Sequence, residues 1–206
     1  MKILAVDSAW DNMVVALCSD GKVYSETSLD GAKKHNSLIL PMIDRLLEKA
    51  NIKISEVDYF AAVVGPGSFT GIRIGVSSVN ALAFACNKNC VEINALEELA
   101  YPCCDKEFYT AIDCRHNCYY YGKFNGGFDN MISMGEITAQ ELDSAKCKVA
   151  KCKVIKKISP SDPNALIEIS KAKIARGETG ALVPLYLKKS QAEREYEAKN
   201  MDKTDI

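Results

Sequence analysis

Val63-Val64-Gly65-Pro66-Gly67-Ser68-Phe69-Thr70-Gly71 carries an apolar run through three glycines into a stretch, 70–86, whose single formal charge is Arg73. The residues before it, 57–64, read as a buried strand, and those after it as a helix, so the glycine loop sits where a strand feeds a helix N-terminus. At such a junction glycines allow close backbone approach, and the free N–H groups and helix dipole favour an anion. The loop is neither a Walker motif nor a dinucleotide fingerprint, and no lysine follows to hold a terminal phosphate. It is therefore either an anion cradle or a tight turn through which helix and sheet meet.

Outward from this point the chain alternates strands and helices. Residues 2–7, 13–18 and 22–28 read as a three-stranded meander, with Ser19-Asp20-Gly21 turning the second strand into the third. A helix is expected over 37–50, with Pro41 in its first turn, and a short strand over 90–94. The order strand-strand-strand-helix-strand-helix-strand predicts a mixed α/β lobe over 1–105. A smaller unit over 106–206 repeats the opening. Strands at 109–113 and 117–124 flank a short connection, and the first ends at Asp113 as the opening strand ends at Asp7. Residues 147–158 alternate as a half-exposed strand, a helix is expected over 164–176, and 190–206 reads as a frayed helix or tail.

The two helices of the first lobe are too apolar for surface helices. At 100° per residue, Gly71, Gly75, Ser78, Leu82 and Ala85 fall on one side of the second, and Ile72, Val76, Val79 and Ala83 on another. The branched face suits a sheet, and the small face suits close approach by another helix. Along 37–50 the apolar stripe covers roughly 160°, wider than a surface helix needs, leaving Asp44, Arg45, Glu48 and Lys49 a narrow polar strip. Either the two helices pack on each other and on the sheet, or, as such an excess on neighbouring helices favours, they leave an exposed patch that meets a protein partner.

Composition narrows the function classes. The 206 residues carry 26 Lys plus Arg against 27 Asp plus Glu, so strong unaided nucleic-acid binding is not expected. Asp7 interrupts any export signal, and no stretch is expected to be long and apolar enough to cross a bilayer. The 9 cysteines then read as reduced cytosolic thiols, mostly small buried hydrophobes, since no CxxC occurs. His35 and His116 stand far apart, and neither they nor Ser8 and Ser68 have a visible partner for nucleophilic or metal chemistry. Asp7 would either position a metal or phosphate beside the glycine loop or cap its own turn. Tyr119, Tyr120 and Tyr121 read as strand residues rather than a base-stacking platform.

Taken together, KILAVDSA at 2–9, KKHNSLILPMIDRLL at 33–47, the 63–85 segment, AIDCRHNCYYYGKF at 111–124 and PLYLKKSQAE at 184–193 resemble the TsaB (YeaZ-like) family. The likeness is close over the first hundred residues and confined to short islands beyond. It implies an actin-like, sugar-kinase and Hsp70 ATPase fold of two related lobes, each a mixed sheet flanked by helices, the second reduced. It also implies a non-catalytic cytoplasmic role in forming N6-threonylcarbamoyladenosine at position 37 of tRNAs reading codons that begin with A.

In that pathway the catalytic subunit is TsaD, a paralogue with a metal-binding HxxxH, and the ATPase TsaE joins the TsaB–TsaD pair. The resemblance places docking on TsaD, or self-association, on the first-lobe helices. Here the candidate contacts are Leu38, Met42 and Leu46 on one helix and Gly71, Gly75, Ser78 and Leu82 on the other. Where TsaD has its histidines this chain reads Ile93-Asn94-Ala95-Leu96-Glu97-Glu98-Leu99, without a metal-ligand pair. A vestigial nucleotide site would use Asp7, Ser8, Gly65, Gly67 and Ser68. No cofactor, resident metal or membrane is expected, and tRNA only within the complex. The alternatives are a homodimeric structural module and a small-molecule kinase of the same fold.

Overall fold

The computed structural model describes residues 1–28, 35–115, 117–148, 154–156 and 161–187. Three strands open the chain, β1 (Ile3–Asp7), β2 (Val14–Ser19) and β3 (Lys22–Thr27). Helix α1 (His35–Ala50) follows, then β4 (Tyr59–Gly65), α2 (Phe69–Cys86), β5 (Asn89–Asn94) and the short α3 (Ala95–Ala100). They form one sheet in the order β3-β2-β1-β4-β5, in which β2 runs antiparallel to β1 and β3 while β1, β4 and β5 run parallel.

The second sheet repeats this plan with β6 (Phe108–Asp113), β7 (Cys118–Phe124), β8 (Met131–Thr138) and β9 (Val154–Lys156) in the order β8-β7-β6-β9. Again the first three strands form an antiparallel meander and the fourth joins the first in parallel. The repeat extends to single hydrogen bonds. Asp7 Oδ1 accepts from the Ala9 N–H at 2.8 Å, and Asp113 Oδ1 accepts from the Arg115 N–H at 2.7 Å. Two such lobes are the plan of the actin-like ATPase fold, with the second reduced.

Strand β1 is buried along its whole length, so both faces of the sheet are covered. Successive side chains alternate between faces. Val6 lies under Gly75 of α2, while its neighbour Asp7 bonds the Ser161 hydroxyl on the far side. That far side is roofed by helix α5 (Pro163–Ala175), which packs on β1, β2 and β5 and buries Ala165, Leu166, Ile167 and Ile169. Asp162 caps α5 by accepting from the Asn164 N–H at 2.9 Å, with Pro163 in the first turn.

The chain thus returns to the first lobe after building the second. The last described residues return to it as well. Gly180 pairs with Cys90 on the edge strand β5, and Leu185 N–H bonds the Val64 carbonyl at 2.8 Å. The single lobe boundary expected near residue 105 is therefore crossed twice.

Other expectations need correcting. Helix α1 starts at His35, so Pro41 lies beyond its first turn. Residues 147–148 close helix α4 (Ala139–Lys148) rather than opening a strand, which shrinks to β9. Strand β8 and helices α3 and α4 were not expected. The predicted tail at 190–206 lies outside the described residues, as does His116. Helix α2 is, against expectation, as long and apolar as a bilayer-crossing helix, with mean hydropathy 1.3 over 18 residues.

The core of the second lobe is held by Phe108 and Phe124, both fully buried with rings stacked at 5.2 Å. Replacing Phe124 with Ala removes one ring and leaves a cavity, at a cost of about 3–5 kcal/mol. Urea unfolding followed by circular dichroism will show a midpoint shift of that size for Phe124→Ala and little shift for Ile132→Ala, whose side chain is exposed.

Candidate functional site

Two surfaces carry the residues singled out by the sequence: the junction of β1 with α2, and the outer face of α2. At the junction the glycines are explained by distance. A Cβ on Gly67 would lie 2.8 Å from the Ala9 carbonyl oxygen, one on Gly71 would lie 2.0 Å from the Ser8 carbonyl oxygen, and one on Gly75 would lie 2.3 Å from Ser8 Oγ. Gly65 has φ +130°, and a Cβ there would lie 2.5 Å from the Leu185 carbonyl oxygen.

Polar groups close the seam. Ser8 Oγ donates to the Gly71 carbonyl at 2.7 Å, the Ser68 N–H donates to the Ala9 carbonyl at 2.8 Å, and Ser68 caps α2 by accepting from the Gly71 N–H. Ser68 and Gly71 N–H groups that an anion would need are thus used internally. The close approaches at Gly67, Gly71 and Gly75 are what the tight-turn reading requires. Asp7, fully buried, accepts from Ala9 and bonds Ser161, and so takes its turn-capping reading.

This geometry corrects the small-face argument. Gly71 and Gly75 do not face a partner helix; they are buried against Ser8. Met42 and Leu46, 1% and 0% exposed, point into the core and support α1 from beneath. Leu38, Ser78 and Leu82 are half-buried at the margin. Beyond its first turn, the residues that α2 turns to solvent are Arg73, Ser77, Ala81 and Phe84, spaced four, four and three apart, with Ala85 beside them. Phe84 is 89% exposed, and Leu40 on α1 is 50% exposed. Only 33% of this apolar helix is buried within the chain.

The single charge on the face is tied down. Arg73 lies over the Phe69 ring at 3.9 Å and donates from Nε to the Tyr186 hydroxyl at 2.8 Å, while Tyr186 stacks on Phe69 at 4.6 Å. Asn80 holds the same returning segment, exchanging two 3.0 Å bonds with the Leu182 backbone. Sequence reading missed Phe84 because it falls between the two faces it drew. An aromatic side chain in a helix with almost no charge was the available signal.

A cleft of about 500 Å³ opens between the lobes, lined by Trp10, Asp11, Gly67, Ser68, Asp113, Arg115 and Tyr120 among others. That volume suits a small ligand. Of the expected nucleotide residues only Gly67 and Ser68 reach it; Asp7, Ser8 and Gly65 lie behind the wall. Two carboxylates face one guanidinium there, a poor match to a polyphosphate without a bridging cation.

The family profile described as "TsaD: tRNA N6-adenosine threonylcarbamoyltransferase" matches residues 29–153. The tRNA threonylcarbamoyladenosine biosynthesis protein TsaB of Escherichia coli K12 is 32% identical over 146 residues, which cover 69% of this chain and 62% of that one. The profile spans more than half of the chain, so the chain belongs to the TsaD-like family it describes, and within that family it is similar to TsaB. The tRNA N6-adenosine threonylcarbamoyltransferase of Kosmotoga olearia is also 32% identical, over 47% of this chain and 34% of its own. YeaZ from Pseudomonas aeruginosa superposes with a TM-score of 0.73 at 24% identity, covering 90% of this chain and 99% of that one, which places the fold. The match to the E. coli TsaB thus spans 62% of that relative's length. These relatives are named for tRNA threonylcarbamoyladenosine biosynthesis and for the threonylcarbamoyl transfer itself.

The seam makes a sharp forecast. Gly75→Ala will destabilise the fold by about 1–3 kcal/mol through overpacking on the Ser8 hydroxyl. Adding Ser8→Ala recovers much of that loss, because the nearest remaining atom, Ser8 Cβ, lies at an ordinary 3.5 Å. Gly71→Ala meets backbone and is not rescued by Ser8→Ala. A double-mutant cycle on urea midpoints checks both halves.

Proposed function

We propose that this chain is a non-catalytic partner of a TsaD transferase in forming N6-threonylcarbamoyladenosine at position 37 of tRNAs reading codons beginning with A. The observation that carries the reading is α2, an apolar helix with a third of its length buried and Phe84 standing clear of the surface. A face of Ser77, Ala81 and Phe84 on α2, with Leu40 exposed on the neighbouring helix α1, suits a second apolar helical surface; such a patch left to water is costly. Leu38, Ser78 and Leu82 form its half-buried margin. TsaE joins the assembled pair, and tRNA meets the chain only there, in keeping with the formal net charge of −1.

Support for a non-catalytic role comes from α3, the segment aligned in order with the TsaD histidines. Ala95, Leu96 and Ala100 are packed into the core, and Asn94 caps the helix by accepting from the Leu96 N–H at 2.9 Å. Those positions do structural work and offer no imidazole.

Size-exclusion chromatography with light scattering on the chain, alone and mixed with TsaD from the same source, tests the reading. A heterodimer peak is expected. Phe84→Glu will weaken it by about 2 kcal/mol or more, roughly 30-fold in Kd, with unchanged circular dichroism. A heterodimer that survives Phe84→Glu combined with Ser77→Trp sinks the docking face. A self-dimer indifferent to TsaD favours the structural-module alternative, and threonylcarbamoyl transfer by the chain alone overturns the non-catalytic role.

A further inference from the structure

Cys114, Cys118 and Glu136 bring two thiols and a carboxylate together at one end of the second sheet, all three ligand atoms within 4.8 Å of one another. The register explains why they meet. Cys114 continues β6 past Asp113, and its N–H donates to the Cys118 carbonyl at 3.1 Å, so the two cysteines face each other across the hairpin. Glu136 on β8 pairs with Tyr120, which shares a sheet face with Cys118 two residues before it. Cys118 and Glu136 are therefore diagonal neighbours on that face. Strands β7 and β8 supply one ligand each, and the residue that follows β6 supplies the third.

The donor set and spacing have a chemical preference. Two thiolates and one carboxylate suit a borderline-soft divalent cation rather than magnesium or calcium, which take oxygen. In a tetrahedral zinc site, with metal–sulfur near ~2.3 Å and metal–oxygen near ~2.1 Å, neighbouring sulfur and oxygen lie roughly 3.5 Å apart. Cys114 Sγ and Glu136 Oε1 lie 3.9 Å apart, so a small side-chain adjustment would close the site. The cysteines are half-buried and the glutamate exposed, which leaves water access to a fourth position. Cys90, by contrast, is buried, and burial pushes its thiol up to about 11, away from the thiolate a metal needs.

We propose that Cys114, Cys118 and Glu136 form a three-ligand site for a zinc-class divalent cation. The ion clamps the β6–β7 turn to β8. That turn carries Asp113 and Arg115, and Cys114 itself lines the cleft between the lobes, so the clamp fixes one cleft wall. Spacing along the chain argued against zinc because strand β8, the source of the third ligand, was not visible in the sequence.

Cobalt titration of the full chain, reduced and chelator-stripped, is the test. A thiolate-to-cobalt charge-transfer band and intense tetrahedral ligand-field bands should rise together, saturate near about one equivalent and vanish on adding zinc. Cys114→Ser and Cys118→Ser should each lose most of the charge-transfer band, and Glu136→Gln should shift the ligand-field bands while keeping it. Cys104→Ser, at an exposed cysteine elsewhere, should change nothing, and circular dichroism should confirm that every variant is folded. No cobalt spectrum in the native chain, or the same spectrum in the Cys114→Ser/Cys118→Ser double variant, overturns the site. So does a Cys114–Cys118 disulfide trapped by rapid alkylation of intact cells.

Discussion

The contact of α2 with the turn after β1 is the constraint on which the rest of the molecule depends. Three glycines, at 67, 71 and 75, bring backbone to backbone there, and a single Cβ at any of them meets Ser8 or Ala9. Because that seam fixes how α2 is rolled on the sheet, it also fixes which side chains face out. Ile72, Val76, Val79 and Ala83 go down onto the strands, and Ser77, Ala81 and Phe84 go up. The exposed face is thus set by a buried contact one helical radius away.

The seam also accounts for the polar groups that look catalytic in isolation. Asp7, Ser8 and Ser68 are residues that the family resemblance offers as a vestigial nucleotide site. Here each is occupied with local bonds to Ala9, Gly71 and Ser161. A fully buried carboxylate needs such partners, and once it has them it is a structural group. The same bond recurs at Asp113, but that carboxylate is exposed and lines the cleft. The two lobes therefore share a backbone device while differing in what the carboxylate can still reach.

How far the sequence could be read follows from these contacts. The first lobe was legible because β1, β2 and β4 are short, fully apolar runs bounded by turn residues, and local pattern is enough for those. Strand β8 was not, because Met131–Thr138 is half-buried or exposed along its length and its apolar residues do not alternate cleanly. The small face of α2 was correctly drawn on the helix but assigned to the wrong neighbour. Angular position says which residues share a side and is silent on what packs there. Met42 and Leu46 failed similarly, since a stripe that wide includes the core-facing half of α1. The return of α5 to the first sheet depends on contacts across more than a hundred residues, for which no local pattern exists.

That return has a consequence for how the protein is made. The inner strands of the first sheet have one face covered by α1 and α2, which leave the ribosome early, and the other by α5, which leaves after the whole second lobe has been synthesised. The bond between Leu185 and Val64 forms later still. During translation β1 and β2 therefore present a bare apolar face while residues 20–162 emerge, at roughly 5–20 residues per second. The first-formed half of this protein is the last to be finished, and it must be kept from other nascent chains until its own C-terminal part arrives.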